Sequence, residues 1–305
     1  MPPNSQDFLS RSCASGEGFR LRHRRDLGSQ GLTVPATLAS FSVHAVPTLI
    51  TLCDGSPLDI KDPDYTAVST RNIVHGLSGV YRFAGQSPRR LTVAEHTLMG
   101  ARQLAHPEVA AAVARAGSLN RLLAALSDSG PATCEALSRA FLIHDAPECV
   151  LHDLTSALKG LPELVGYKRV ERMHMERVAA ALNVPYVCLG GQTAAAYAEG
   201  YKAAWVNTRD RQRLYPRASI SELAIPSLAE QEAHLLTAEV WAAVKMIDSA
   251  LGAIELEVAW EIGGPSQHHL FDLAIAAVDY CFLDPDHAYI ALMAALPREW
   301  RDPRP

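Results

Sequence analysis

Apolar and polar residues first fall into a regular pattern near Pro47. Thr48-Leu49-Ile50-Thr51-Leu52 and Pro57-Leu58-Asp59-Ile60 flank Cys53-Asp54-Gly55-Ser56, and two short runs around an Asp-Gly turn predict a small β-hairpin. Helical spacing takes over after it. Thr92 with Glu95 three residues later is a capping-box signature, which starts a helix carrying His96 in its first turns. Helical patterns recur over about 118–127, 133–151, 162–183 and 192–213, with Pro147 placed to distort the chain near Glu148. Beyond Ser219 the chain is Ala-rich, with helical periodicity over about 227–251, 268–283 and 285–296 and a break at Gly263-Gly264-Pro265. The predicted fold class is all-α: a helical bundle with a small N-terminal β-hairpin and a C-terminal helical extension.

Residues 1–45 lack this periodicity and carry Arg20, Arg22, Arg24 and Arg25 in a Ser/Gly-containing stretch, so a disordered tail is expected there. Residues 46–218 are expected to form the main domain and 219–305 a helical extension of unknown role. Between His96 and His144 lie 47 residues. Their stretch from Ala116 to Pro131 reads as an inserted helix between breakers, whose Leu122, Leu123 and Leu126 cover a protomer interface or, more commonly, the protein's own core.

The densest chemistry is His144-Asp145 with Glu148 and Asp153, following the apolar run Ala140-Phe141-Leu142-Ile143. Burying such groups costs several kcal/mol unless they are paired or bound to a cation. His96 and the distant Asp210 complete a set of two imidazoles and two carboxylates, which suits a divalent ion with open positions better than a closed structural zinc site. Mn, Co, Fe, Zn and Mg all remain open. Arg82 is the best-placed guanidinium fork for phosphate, Phe83 beside it could stack on a base, and Lys159 is a further cation. His75 could reach a substrate or serve helix packing.

An ordered series of motifs carries a resemblance. Ile73-Val74-His75-Gly76-Leu77-Ser78, Tyr81-Arg82-Phe83-Ala84-Gly85, Leu91-Thr92-Val93-Ala94-Glu95-His96, Phe141-Leu142-Ile143-His144-Asp145-Ala146-Pro147-Glu148, Asp153-Leu154 and Ala157-Leu158-Lys159 follow one another. From about Leu49 to about Tyr215 the chain thereby resembles HD-domain metal-dependent phosphohydrolases of the bacterial and phage 5'-deoxynucleotidase-like branch. The resemblance implies one divalent metal on His96, His144, Asp145 and Asp210, with Asp248 and Glu199 as fallback ligands for Asp210. It also implies Glu148 and Asp153 beside the attacking water, and Arg82 and Phe83 against the nucleotide.

The implied activity is removal of phosphate from nucleotides by a metal-activated water, foremost from deoxyribonucleoside 5'-monophosphates. Two alternatives stand beside it: a deoxynucleoside triphosphate phosphohydrolase, and a catalytically silent nucleotide-binding HD module.

Composition narrows the setting. Net charge is 28 minus 33, or −5 with neutral histidines, which gives no general attraction to a nucleic-acid polymer. A small nucleotide held by local cations remains compatible. The six cysteines form no CxxC pair, and no apolar run is long enough to span a membrane, so a cytoplasmic enzyme is expected, with homo-oligomer formation open.

Overall fold

A computed structural model describes residues 48–206, 226–260 and 281–301. The expected tail, Asp210, the end of the helix predicted to reach 213 and most of that predicted over 268–283 lie outside the described residues. The chain divides into units 1–46 and 47–305, and every described residue belongs to the second.

The predicted hairpin is present: β1 (Leu49–Thr51) pairs antiparallel with β2 (Pro57–Asp59), Leu49 opposite Asp59. Everything else of size among the described residues is helical. Ser69 caps α1 (Thr70–Gly79) by accepting from Asn72 N, and Ile73, Val74 and Leu77 line its buried face. A 3-10 turn over Arg82–Gly85 leads to α2 (Val93–Leu104), where the Thr92 side chain accepts from Glu95 N as the capping signature predicts. The reciprocal half of the box is missing. Glu95 is buried and instead accepts from the backbone N–H groups of Phe282 and Leu283, tying the C-terminal segment to the start of α2.

Helix α2 is buried on almost every side, which makes it the central element, and it packs most extensively on α4 (Asn120–Ile143). Gly100 permits that approach, since a Cβ there would collide with the Phe141 ring. Helix α3 (Pro107–Ala116) connects the two. The breakers at Ser129-Gly130-Pro131 interrupt α4 at Ser129 (φ −145°, ψ 47°), a kink across which the two predicted helical stretches run on as one element. Leu122 is fully buried, with Leu123 and Leu126 packed on the same core, so this segment covers its own molecule.

Pro147 does more than distort. It ends the predicted helix 133–151 at Ile143, and His144–Pro147 form a turn before the short α5 (Glu148–Leu151). Then come α6 (Ser156–Lys159), α7 (Val165–Ala181) and α8 (Ala194–Val206).

Helix α9 (Leu228–Trp260) is one continuous element of 33 residues, and α10 (Pro285–Ala295) with a 3-10 turn over Arg298–Trp300 closes the described chain. Trp241, Val244, Ile247 and Leu251 of α9 are buried in the same cluster as residues of α2, α3 and α4. The C-terminal segment thus packs on the core through the apolar face of α9. Glu239 shows how closely they join: its carboxylate accepts from Leu122 N at 2.9 Å and Arg121 Nη1 at 3.2 Å, satisfying the otherwise uncapped start of α4.

Candidate metal centre

Four side chains from three parts of the chain converge. His96 comes from the second turn of α2, His144 and Asp145 from the turn where α4 stops, and Asp248 from the middle of α9. One ligand atom from each lies within 4.8 Å of all the others. His96 Nε2 is 3.3 Å from His144 Nε2, 3.4 Å from Asp248 Oδ1 and 3.7 Å from Asp145 Oδ2. His144 Nε2 is 3.1 Å from Asp145 Oδ2 and 3.8 Å from Asp248 Oδ1.

Three of the four ligands expected from the sequence are thus brought together. The fourth place is taken by Asp248, and Asp210 lies outside the described residues. Glu199, the other fallback, is exposed on α8 beside Lys202.

Both imidazoles are oriented from behind. His96 Nδ1 donates to Glu255 Oε1 at 2.7 Å, and His144 Nδ1 donates to the Phe141 carbonyl at 2.7 Å. With a proton on each Nδ1, the neutral rings turn their Nε2 lone pairs toward each other and toward two carboxylates. Asp145 Oδ2 is buried there without any hydrogen bond. Four electron-rich atoms around one point, one of them unsatisfied, fit a divalent cation, and fixed Nδ1 partners are the usual means of aiming histidine ligands. This group could hold a metal ion.

The electrostatics without a cation agree. Burial opposes charge on His144, but the Asp145 carboxylate beside it prevails and pushes it up to about 9. Burial likewise opposes ionisation of Asp145 and Asp248, yet the two histidines hold both carboxyls well below the usual range. The centre stabilises positive charge, which protons supply when a cation does not.

The other predicted residues divide. Arg82, Phe83, Glu148, Asp153 and Lys159 share a cleft of about 1340 Å³ with His144, Asp145 and Asp248. Arg82 is half-buried against two acids, Nε to Glu255 at 3.3 Å and Nη1 to Asp145 at 3.7 Å. Phe83 packs edge-on against Trp260, with ring centroids 5.1 Å apart. Lys159 Nζ bridges Glu148 Oε1 at 3.1 Å and Glu171 Oε1 at 2.7 Å. Glu148 Oε2 is buried without a partner. Burial, then the charges of Asp145 and Asp153, push its carboxyl up to about 9 against the pull of Lys159.

His75 is not in this cleft. It is exposed on α1 and lines a separate one with Asn72 and Asp286, so its substrate role is not supported by position. Arg89 and Arg90 stack on Phe282 and Tyr81 and also lie outside the cleft lining.

Backbone strain collects where the cleft residues enter. Phe83 and Ala84 are consecutive left-handed residues (φ 57° and 53°), and His152 has φ 63° with ψ 159°, a region almost reserved for glycine. One hydrogen bond joins the two strained segments, from Phe83 N–H to Asp153 Oδ2 at 3.2 Å.

Sequence reasoning missed Glu255, the basic residues Lys168, Arg169 and Arg172 of α7 on the cleft wall, and the primary standing of Asp248. A signal existed for the first and last. Both acids sit seven residues apart on one face of α9, interleaved with the buried Ala250 and Leu251, where a solvated stripe would not place them. No family model and no curated protein matches this chain.

Proposed function

We propose that this protein is an HD-type phosphohydrolase that removes phosphate from nucleotides, foremost deoxyribonucleoside 5'-monophosphates, in the cytoplasm. The observation that carries the reading is the convergence of His96, His144, Asp145 and Asp248 on one point in a cleft that also holds Glu148 and a set of cations. When bound there, a divalent cation supplies Lewis-acid charge and makes water acidic enough to attack near neutral pH. The chain's own residues supply the rest.

Arg82 and Lys159 offer donors to phosphoryl oxygens, each now held by carboxylates that an anionic ligand would compete with. Glu148 keeps one oxygen unbonded in the cleft, and its raised pKa places proton exchange within reach of neutral conditions, which suits general acid or base work. Asp153 is fixed by the Phe83 N–H, so the carboxylate and the Arg82-Phe83 turn move together. No helix among the described residues is long and apolar enough to cross a membrane.

A second reading, hydrolysis of deoxynucleoside triphosphates, is favoured by the size of the cleft and by Lys168, Arg169 and Arg172. All three are exposed, and none has an acidic partner within ion-pair distance among the described residues. Incubation with deoxynucleoside mono- and triphosphates and Mn²⁺ or Co²⁺, followed by anion-exchange separation, tests the proposal. Nucleoside from the monophosphate is expected. Product from the triphosphate alone would select the second reading, and bound metal and nucleotide without product would leave a silent binding module.

A further inference from the structure

Glu255 occupies an unusual position on α9, two turns beyond Asp248. Its side chain is completely buried, and its two oxygens serve different halves of the site. Oε1 accepts from His96 Nδ1 at 2.7 Å, behind the candidate metal ligand, and Oε2 accepts from Arg82 Nε at 3.3 Å. A buried carboxylate with each oxygen engaged by its own donor is held rigidly, since loss of either donor would leave a buried carboxylate oxygen without a hydrogen bond.

The consequences for each partner follow from atom inventory. On His96, a proton fixed at Nδ1 leaves Nε2 as the lone pair facing His144, Asp145 and Asp248. On Arg82, engagement of Nε by Glu255 fixes the plane of the guanidinium, with Nη1 3.7 Å from Asp145 and Nη2 close to the backbone of Gly252 on α9. We infer that Glu255 is a positioning residue that couples cation binding to phosphate binding, by holding His96 and Arg82 through one carboxylate. This rests on the metal-dependent reading above. The role lies in the segment that the sequence presents as an appendage, and it acts through His96 and Arg82 without touching a substrate.

The test uses the full-length protein stripped of metal. Co²⁺ affinity is read from its visible absorption, and inorganic phosphate affinity is read on the Co²⁺-loaded protein, for wild type, Glu255→Gln, Arg82→Gln and the double variant. Glutamine keeps the volume but can accept from only one of the two donors. Glu255→Gln is expected to weaken Co²⁺ about 10- to 100-fold, the usual effect of losing a partner behind a histidine ligand, and to weaken phosphate as well.

Arg82→Gln is expected to lose phosphate affinity while keeping Co²⁺ affinity, and the double variant to bind phosphate no worse than Arg82→Gln alone. Wild-type affinities for both ligands in Glu255→Gln, or independent additive losses of phosphate binding, would overturn the coupling. A measurement on the wild type needs no variant to fold: in the Zn²⁺-loaded protein, nitrogen NMR should show His96 as the Nδ1–H tautomer with a slowly exchanging proton. An Nε2–H tautomer would overturn the inference. Failure of the wild type to take up any divalent cation would instead sink the metal reading beneath it.

Discussion

His96 and His144 face each other through their Nε2 atoms at 3.3 Å, while their Nδ1 atoms point outward to the Glu255 carboxylate and the Phe141 carbonyl. Two neutral rings so arranged repel unless something positive lies between them and the flanking carboxylates. Asp248 then matters as much as the His-Asp pair. Asp248→Ala is expected to lower Co²⁺ or Mn²⁺ affinity by about 100-fold or more, exceeding the loss of a merely orienting partner. Asp210→Ala should bind the ion as wild type does. The reverse pattern in a metal titration would restore Asp210 as the ligand.

The metal-free protein should lose stability as pH rises. His144 is raised to about 9 from an ordinary 6.5, burial opposing and Asp145 favouring the charge, and Glu148 is raised to about 9 from 4.5 by burial and neighbouring acids. Each binds its proton more tightly folded than unfolded, so the stability it contributes is complete below the unfolded value and is lost as pH climbs through about 9. Cation affinity should run the other way, strengthening over the same window as the His144 proton becomes easier to displace. Thermal melts with and without Co²⁺ across this range would show opposite trends. A flat profile for both would contradict the proton-for-cation exchange.

Glu148 separates chemistry from binding. Glu148→Gln preserves shape and is expected to lower turnover by about 10² to 10⁴ while leaving metal affinity near wild type, because Glu148 is not among the four converging ligands. Equal loss of both in parallel titration and turnover measurements would make it a ligand or a structural support instead.

The strain at His152 should be separable from its side chain. Its φ of 63° and ψ of 159° suit glycine, and the residue's own hydrogen bonds run through the backbone, its N–H to Glu148 O and its carbonyl accepting from Tyr167. His152→Gly is expected to stabilise the fold by about 1 kcal/mol, the relief of strain outweighing the added freedom of the unfolded chain. A lowered melting temperature would show that the imidazole itself contributes.

The cations of α7 report on the length of the substrate. Neutralising Lys168 and Arg172 together should raise KM for a deoxynucleoside triphosphate by about tenfold, a loss of about 1.4 kcal/mol, with a smaller effect on the monophosphate. Metal affinity should not change. An equal rise for both substrates would assign these residues to general attraction of anions.

Much of this molecule is legible residue by residue. The Asp-Gly hairpin, the Thr92 cap and the clustering of His144, Asp145 and Glu148 are local, set by turn chemistry, capping and the rarity of charged groups after an apolar run. Range is where such reading fails. Pro147 stops a helix that periodicity alone extends, and it turns Glu148 onto a separate element.

What the sequence determined by itself, then, is the helical class, the hairpin and the short-range part of the centre, because those depend on neighbours within a few positions. What only the tertiary structure decided is which distant acids face His96. Asp248 and Glu255 stand 152 and 159 positions away from it, on a helix rich in glutamates, and they join the site solely because the apolar face of α9 packs against α2 and α4. Periodicity states that a helix has a buried face. Only packing states what that face meets.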